Sequence, residues 1–233
     1  MTGDSEHKYI VASLHDWNEV AFNDHVQQLP GRWEYVSSRE TLESALAGAD
    51  SLRYVFFPHW SYKVPDSVIE HFECIAFHMT DVPYGRGGSP LQNLIVRGHL
   101  ETTLTALKMT NEFDAGPVYL KMPLRLDGSA LEIYQRAASL TAVMIEEIIS
   151  SDIEPIAQVG EPTVFARRTP AESEIPEDLG PEEAYDFIRM LDAPGYPKAF
   201  SRHGKLRLEF FDAELQDGRV AAKVIIEERE ESE

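Results

Sequence analysis

The fold is decided by the run LRYVFF at Leu52–Phe57. An almost uninterrupted apolar run of this length is typical of a strand that is buried on both faces of a sheet. Three further short strands and three amphipathic helices alternate with it along the chain. The predicted strands are Lys8–Ser13, Trp33–Ser37 and Cys74–His78, and the predicted helices are Trp17–Leu29, Thr41–Ala49 and Pro65–Phe72. This alternation predicts an α/β fold, with a Rossmann-like, mostly parallel sheet and helices on both faces.

Two more strands are predicted after this region, at Thr102–Met109 and Pro117–Leu126, and a long helix follows them. Ser129 and Glu132 have the spacing of a capping box at the start of that helix. Apolar residues recur along it at helical spacing, so we expect one of its faces to belong to the core.

The composition changes in the last third of the chain. Glu172–Asp192 contains eight acidic residues and one basic residue, broken by prolines, which predicts a linker and then a short helix at Glu182–Met190. Lys205–Phe211 and Arg219–Ile226 flank the turn Asp217-Gly218 and predict a β-hairpin. We therefore expect a catalytic domain at residues 1–155, a linker at 156–180 and a small C-terminal α+β or β-rich domain at 181–233. The last residues, EEREESE, are expected to form a solvated tail.

The charge of the chain restricts its partners. It has 233 residues with 21 Lys and Arg against 40 Asp and Glu, a formal net charge of -19. Such an acidic surface argues against nonspecific binding of nucleic acid or anionic membranes, but not against a small anionic substrate. Met1–His7 is polar and resembles no signal peptide, and no apolar run has the length of a membrane span. We expect a cytoplasmic protein.

Several common signatures are absent from the sequence. No GxGxxG follows the first strand, and neither a Walker A sequence nor GxSxG is present. The single Cys74 excludes an internal disulfide, and no pair of metal ligands has helical spacing. We expect no metal site.

His78 is the strongest catalytic candidate, because it ends a predicted parallel strand and opens into a glycine-rich loop. Ligands of such sheets bind outside the carboxyl ends of the strands. The loop PYGRGGSP at Pro83–Pro90 contains three glycines, which allow a ligand to approach the backbone closely. The alternatives are a histidine that hydrogen-bonds at a strand end and a merely tight turn.

Asp114 is the second candidate, in the stretch NEFDAGP at Asn111–Pro117. An aspartate that caps the turn is the alternative, since this is the commonest role of Asp before such a turn. If the strands before Asp114 and His78 are neighbours, the carboxylate can approach the imidazole and orient it as a general base.

Aromatic residues follow the buried strand. Phe57, Trp60 and Tyr62 are candidates to line a pocket for a flat heterocycle. Packing in the core or at its rim is the alternative. His59 is a candidate to contact substrate or to lie in the loop without contacting it.

Together these stretches resemble the N10-formyltetrahydrofolate-dependent formyltransferases, which include methionyl-tRNA, glycinamide ribonucleotide and sugar N-formyltransferases. The family pattern is Asn-x-His-Pro-Ser-x-x-Pro-x-x-Arg-Gly-x-x-Pro, then a Glu-Thr-Gly strand and Asp-x-Gly. The resemblance covers roughly residues 50 to 150. The residues that match it are His78, Thr80, Pro83, Arg86-Gly87, Glu101-Thr102 and Asp114.

The resemblance implies an N-formyltransferase, with N10-formyltetrahydrofolate as the donor. His78 would take up or relay the proton of the attacking amine and hydrogen-bond the oxyanion, and Asp114 would orient His78. Phe57 and Trp60, as aromatic residues after the buried strand, are the candidates to bind the donor. Arg86, Gly87 and Gly88 are expected to bind the donor as well, with positioning of the acceptor as the alternative. Thr80 and Asp81 are the candidates to bind the substrate.

Three departures from the pattern stand out: Ala76 at the catalytic Asn, Met79 at the Pro and Thr103 at the Gly. In the family the Asn helps to hold the oxyanion, and loss of one such donor costs on the order of 10²–10³ in rate. Asn93 and Asn111 are the candidates to replace it.

The acidic charge favours an amino sugar as acceptor, nucleotide-linked or a nonulosonic-acid precursor, because an enzyme for tRNA needs an extended basic surface. Two alternatives are a formyl-folate hydrolase, in which water replaces the amine, and a catalytically degenerate folate- or sugar-nucleotide-binding protein, suggested by Ala76. The C-terminal domain could also supply a homodimer interface.

Overall fold

The computed structural model of the protein describes residues 7–49, 51–151 and 153–228. In chain order the strands are β1 (Lys8–Ala12), β2 (Arg32–Val36), β3 (Leu52–Pro58), β4 (Cys74–His78), β5 (Arg86–Gly87), β6 (Glu101–Lys108), β7 (Val118–Arg125), β8 (Val164–Phe165), β9 (Ala199–His203), β10 (Leu206–Gln216) and β11 (Arg219–Glu228). The helices are α1 (Asp16–Asp24), α2 (Arg39–Ala47), α3 (Asp66–His71), α4 (Pro90–Ile95), α5 (Ala130–Ser150) and α6 (Pro181–Arg189).

Six strands form the main sheet, in the order β2-β1-β3-β4-β6-β7. The pairs β1–β2, β1–β3 and β3–β4 are parallel, whereas β6 runs antiparallel to β4. Strand β3 is buried as its apolar sequence predicts, with Val55, Phe56 and Phe57 at most 2% exposed. The mostly parallel α/β sheet predicted from the sequence is confirmed.

The start of α5 has the capping box expected from its sequence. The backbone N–H of Ser129 donates to Glu132 Oε2 at 2.7 Å, and the backbone N–H of Glu132 donates to Ser129 Oγ at 3.3 Å. Each residue thereby satisfies a donor of the other.

The C-terminal strands form a separate antiparallel sheet, in the order β11-β10-β9. The hairpin β10–β11 turns at Asp217 and Gly218, whose φ angles are 49° and 69°. Two successive positive φ angles suit the tight turns that match the twist of a hairpin. The predicted hairpin and C-terminal helix are confirmed, whereas β9 was not expected.

The chain divides into two compact units. The first comprises the described residues of Met1–Gly87, Thr102–Leu124 and Tyr134–Val164, and the second comprises those of Gly88–Glu101, Arg125–Ile133 and Phe165–Glu233. The domain boundaries expected from composition stay a prediction.

Both chain ends lie partly beyond the described residues. The N-terminal stretch predicted to lack a signal is described only at His7, and the predicted solvated tail only at Glu227 and Glu228, which end β11. Within the three described ranges, no helix combines the length and the apolar character that crossing a membrane requires.

Candidate active site

His78 is the last residue of β4 and is only 7% exposed. Its Nε2 lies 2.8 Å from the carbonyl oxygen of Gly85. A carbonyl oxygen only accepts hydrogen bonds, so this contact assigns the hydrogen to Nε2. Nδ1 is therefore the ring nitrogen that can accept a proton.

Asp114 faces that nitrogen. Its Oδ1 lies 3.6 Å from His78 Nδ1, and its Oδ2 accepts a hydrogen bond from the backbone N–H of Gly87 at 2.9 Å. The structure thus brings the two catalytic candidates together and joins the carboxylate to the glycine-rich loop. A proton on Nδ1 would be stabilised by the carboxylate.

The turn that carries Asp114 is tightly held. Asp114 has a φ of 53°, a left-handed conformation that Asp adopts more readily than most residues. At Gly116, a Cβ atom would lie 1.7 Å from the carbonyl oxygen of Lys108, so a side chain cannot fit there. Gly116 stands at the Gly of the family's Asp-x-Gly stretch, and this close approach explains why that position needs a glycine.

The two predicted substrate-binding residues lie in different environments. Thr80 is fully buried, its Oγ1 donates to Gly85 O at 3.2 Å, and its own carbonyl accepts from Thr105 Oγ1 at 2.7 Å. These bonds give Thr80 a part in holding the loop. Asp81 is exposed, and its Oδ1 accepts from Lys121 Nζ at 2.5 Å.

The three loop residues that were predicted to bind the donor make different contacts. Arg86 directs its guanidinium to Gln158, with Nη1 at 3.4 Å from Glu112 Oε1. Gly87 contributes the backbone N–H that binds Asp114. Gly88 belongs to the second unit, where a Cβ atom would lie 2.5 Å from the Cα of Arg167.

Two of the aromatic candidates, Phe57 and Trp60, pack with the core, whereas Tyr62 is 42% exposed. Phe57 is 2% exposed in a cluster of buried residues, and Trp60 packs partly buried against that cluster. The rings of Phe57 and Trp60 meet edge to face with centroids 5.9 Å apart. Tyr62 contacts Trp60 in the same way at 5.6 Å.

A surface pocket lies beside Asp114. Its lining is half apolar and half polar, with Lys63, Asp66 and Glu112 among the charged side chains, and Ala76, the position of the family Asn, is part of it. Among the residues that line it are Val64, Ala76, Leu107, Met109, Asn111 and Asp114.

The two candidates to replace the missing Asn lie in different parts of the protein. Asn111 lines the pocket together with Ala76. Asn93 lies in the second unit, where its Nδ2 donates to the carbonyl oxygens of Gly88 and Ala166. Asn111 is therefore the candidate that shares the pocket with Asp114.

His59 lies partly buried in a cluster of aromatic rings. Its ring makes tilted contacts with the rings of His15, Trp17 and Tyr134, whose centroids are 4.2 to 5.7 Å away. Burial lowers the pKa of His59 to about 3, and the neighbouring His15 acts in the same direction. Burial also lowers the pKa of His15. Both rings are therefore neutral at physiological pH and serve as packing.

Gln158 was missed by the sequence analysis. Its amide contacts Arg86 and the backbone of the Asp114 turn, and it lies 42 to 72 residues from these partners in the sequence. No local pattern surrounds it. Within the described part of the chain, no group of three His, Cys, Asp or Glu residues could hold a metal ion.

Comparison with known proteins connects the whole chain to formyltransferases. A family model described as the C-terminal domain of methionyl-tRNA formyltransferase matches residues 170–227. The solved structure of a methionyl-tRNA formyltransferase from Clostridium thermocellum is 39% identical, has a TM-score of 0.89, and is matched over 96% of this chain and 100% of that one.

Two further comparisons are partial. A methionyl-tRNA formyltransferase from Lactobacillus delbrueckii is 30% identical over 151 residues, 60% of this chain and 46% of that protein. The chain thus spans about half the length of the curated relatives it matches. HypX from Aquifex aeolicus, solved with tetrahydrofolic acid, shares the fold, with 17% identity and a TM-score of 0.70 over 90% of this chain and 38% of that one.

Proposed function

The chain belongs to the formyltransferase family, and from that premise we propose that it transfers a formyl group from N10-formyltetrahydrofolate to a primary amine of an amino sugar. The observation that carries the proposal is the contact between His78 Nδ1 and Asp114 Oδ1, with Asp114 bound to the loop at Gly87. This arrangement provides a base with a positioned carboxylate behind it.

The acceptor amine must lose a proton as it attacks. His78 takes up this proton at Nδ1, because Nε2 donates its hydrogen to Gly85 O. The Asp114 carboxylate, 3.6 Å from Nδ1, stabilises the resulting imidazolium. The proton would pass from this pair to N10 of the folate, where the bond to the formyl carbon breaks and tetrahydrofolate leaves. The chain supplies the proton acceptor and its support, and the folate supplies the activated formyl group.

The apolar part of the lining of the pocket beside Asp114 supports binding of the donor there. Flat heterocycles bind in pockets with apolar walls and a few polar groups that fix their orientation. Val64, Leu107 and Met109 supply such walls, and Asn111 and Asp114 supply polar groups. We place the folate ring system in this pocket.

Charge supports a small acceptor. Proteins that bind nucleic acid carry a basic face. Residues 170–227, which match the C-terminal domain of methionyl-tRNA formyltransferase, contain 7 Lys and Arg against 13 Asp and Glu. A nucleotide-linked amino sugar needs only one or two local cations or backbone donors for its pyrophosphate.

Methionyl-tRNA is the second candidate acceptor. It is supported by relatives that are methionyl-tRNA formyltransferases. One of them is the solved structure that is 39% identical to this chain and is matched over 100% of its own length. The two acceptors are separated by experiment, since they differ in size and in the salt dependence of their binding.

The test is formyl transfer from N10-formyltetrahydrofolate, measured by mass spectrometry of the acceptor. One arm contains a panel of free and nucleotide-linked amino sugars, and the other contains methionyl-tRNA. We expect a formylated amino sugar, with loss of activity in His78→Ala and retention in His71→Asn, which changes an exposed histidine.

Three other outcomes of this experiment would each assign the protein a different function. Formyl transfer to methionyl-tRNA and to no amino sugar would make methionyl-tRNA the acceptor. Release of formate in the presence of every acceptor would indicate a hydrolase. Folate binding without any reaction would indicate a binding protein.

A further inference from the structure

We propose that Gln158 is a positioning residue that holds the Asp114 turn and the glycine-rich loop in one arrangement, so that Asp114 faces His78. This inference rests on the proposed function. Gln158 lies between α5 and β8, in a segment without regular structure, and its side chain is partly buried.

The amide of Gln158 uses its full hydrogen-bonding capacity. Its Nε2 donates to the carbonyl oxygens of Asp114 and Gly116, both at 2.8 Å. Its Oε1 accepts from Arg86 Nε at 3.0 Å and from Arg86 Nη2 at 2.8 Å. A Gln side chain has two N–H donors on its nitrogen and two lone pairs on its oxygen, so all four are engaged.

These four bonds connect both halves of the site. Arg86 lies between Gly85, whose carbonyl binds His78, and Gly87, whose N–H binds Asp114. Gln158 therefore ties the residue at the centre of the loop to the backbone of the turn that carries Asp114. Two segments that meet at the His78 ring are joined by one side chain.

The backbone of the Asp114 turn needs hydrogen bonds of this kind to hold its conformation. Asp114 has a left-handed backbone, at φ 53°, and conformations of this kind persist only when their surroundings enforce them. The hydrogen bond to the Asp114 carbonyl acts on the same residue whose carboxylate faces His78. Rotation of that backbone would move the carboxylate.

A primary amide of this length suits the position. A Glu would keep an acceptor for Arg86 but would direct an oxygen at two carbonyl oxygens. An Asn is shorter by one methylene and cannot reach both sides. Gln158→Glu therefore tests the two sets of hydrogen bonds separately, because it removes the bonds to the Asp114 turn and keeps the contact with Arg86.

The experiment measures kcat and KM for formyl transfer in Gln158→Glu and Gln158→Asn. Gln135→Glu is the matched control, since it makes the same change on the exposed side of α5. We expect kcat to fall about 100-fold in both Gln158 variants, as a misplacement of about 1 Å does, while KM for the donor changes less than about threefold. Equal kcat in Gln158→Glu and Gln135→Glu would overturn the proposal.

A double-mutant cycle separates positioning from a general effect on the fold. If Gln158 acts through Asp114, Gln158→Glu adds no loss in an Asp114→Ala background. If the fold-losses of kcat in the two single variants multiply in the double variant, Gln158 does not act through Asp114.

The ¹⁵N signals of the His78 ring provide a readout that does not depend on activity. We expect them to shift in Gln158→Glu and to stay unchanged in Gln135→Glu. A wild-type protein that transfers no formyl group would contradict the proposed function, whereas unchanged ring signals in Gln158→Glu would contradict the positioning role.

Discussion

Substitution of Gly116 by Ala tests whether the tight turn places Asp114. The new Cβ would lie 1.7 Å from the carbonyl oxygen of Lys108, and real Cβ atoms do not approach other atoms more closely than 3.0 Å. Because the obstacle is a backbone atom of β6, it cannot rotate away. The turn itself must move by more than about 1 Å, and this displaces Asp114 from His78.

The expected cost has two parts. Overpacking of this kind destabilises by about 3 kcal/mol, the upper end of the usual range. For a chain of this size, that loss corresponds to a fall in Tm of roughly 6–12 °C. The displacement of Asp114 is expected to lower kcat by about 10²-fold.

The assay compares Tm and the rate of formyl transfer in Gly116→Ala and in the control Gly48→Ala. At Gly48, no atom lies within 4 Å of the added Cβ. The control should behave like the wild type. Equal Tm and equal rate in Gly116→Ala and Gly48→Ala would show that this tight turn does not place Asp114.

Two further predictions concern His59 and Asn111. Because the unfolded chain binds a proton near pH 6.5 and the folded His59 only near pH 3, stability should fall below pH 6.5, by about 2 kcal/mol between pH 8 and 5 in denaturant titrations. His59→Asn should flatten this dependence and the exposed His203→Asn should not; equal slopes would contradict the reasoning. If the Asn111 amide replaces the family donor, Asn111→Ala should lower kcat about 10²-fold. Ala76→Asn should restore the rate in that background, and no rescue would contradict the replacement.

The α/β sheet could be predicted because its strands are short apolar runs. The run at Leu52–Phe57 forms β3, with Phe56 and Phe57 buried, and the spacing of Ser129 and Glu132 marked the start of α5. Strand β9 could not be predicted, because Ala199–His203 is short, begins two residues after Pro197 and includes polar residues. Its pairing with β10 comes from tertiary context.

Site residues could be predicted from the sequence when they lie at strand ends or in motifs. Roles that depend on contacts between residues distant in the sequence could not. His78 and Asp114 lie at positions of the first kind, and the structure brings them together. Thr80 is fully buried and Gln158 joins segments far apart in the chain, and neither fact has a local signal. Phe57 illustrates the same limit, since an aromatic residue at a strand end can line a pocket or fill the core.

The proposed reaction requires this chain to bind a formyl-folate beside His78 and Asp114. The most direct test is the Tm of the protein with and without 5-formyltetrahydrofolate, a stable mimic of the donor. At about 100 times its Kd, the ligand should stabilise the fold by about 2.7 kcal/mol, a rise in Tm of roughly 5–11 °C. No change in Tm at saturating ligand would contradict the assignment of the donor.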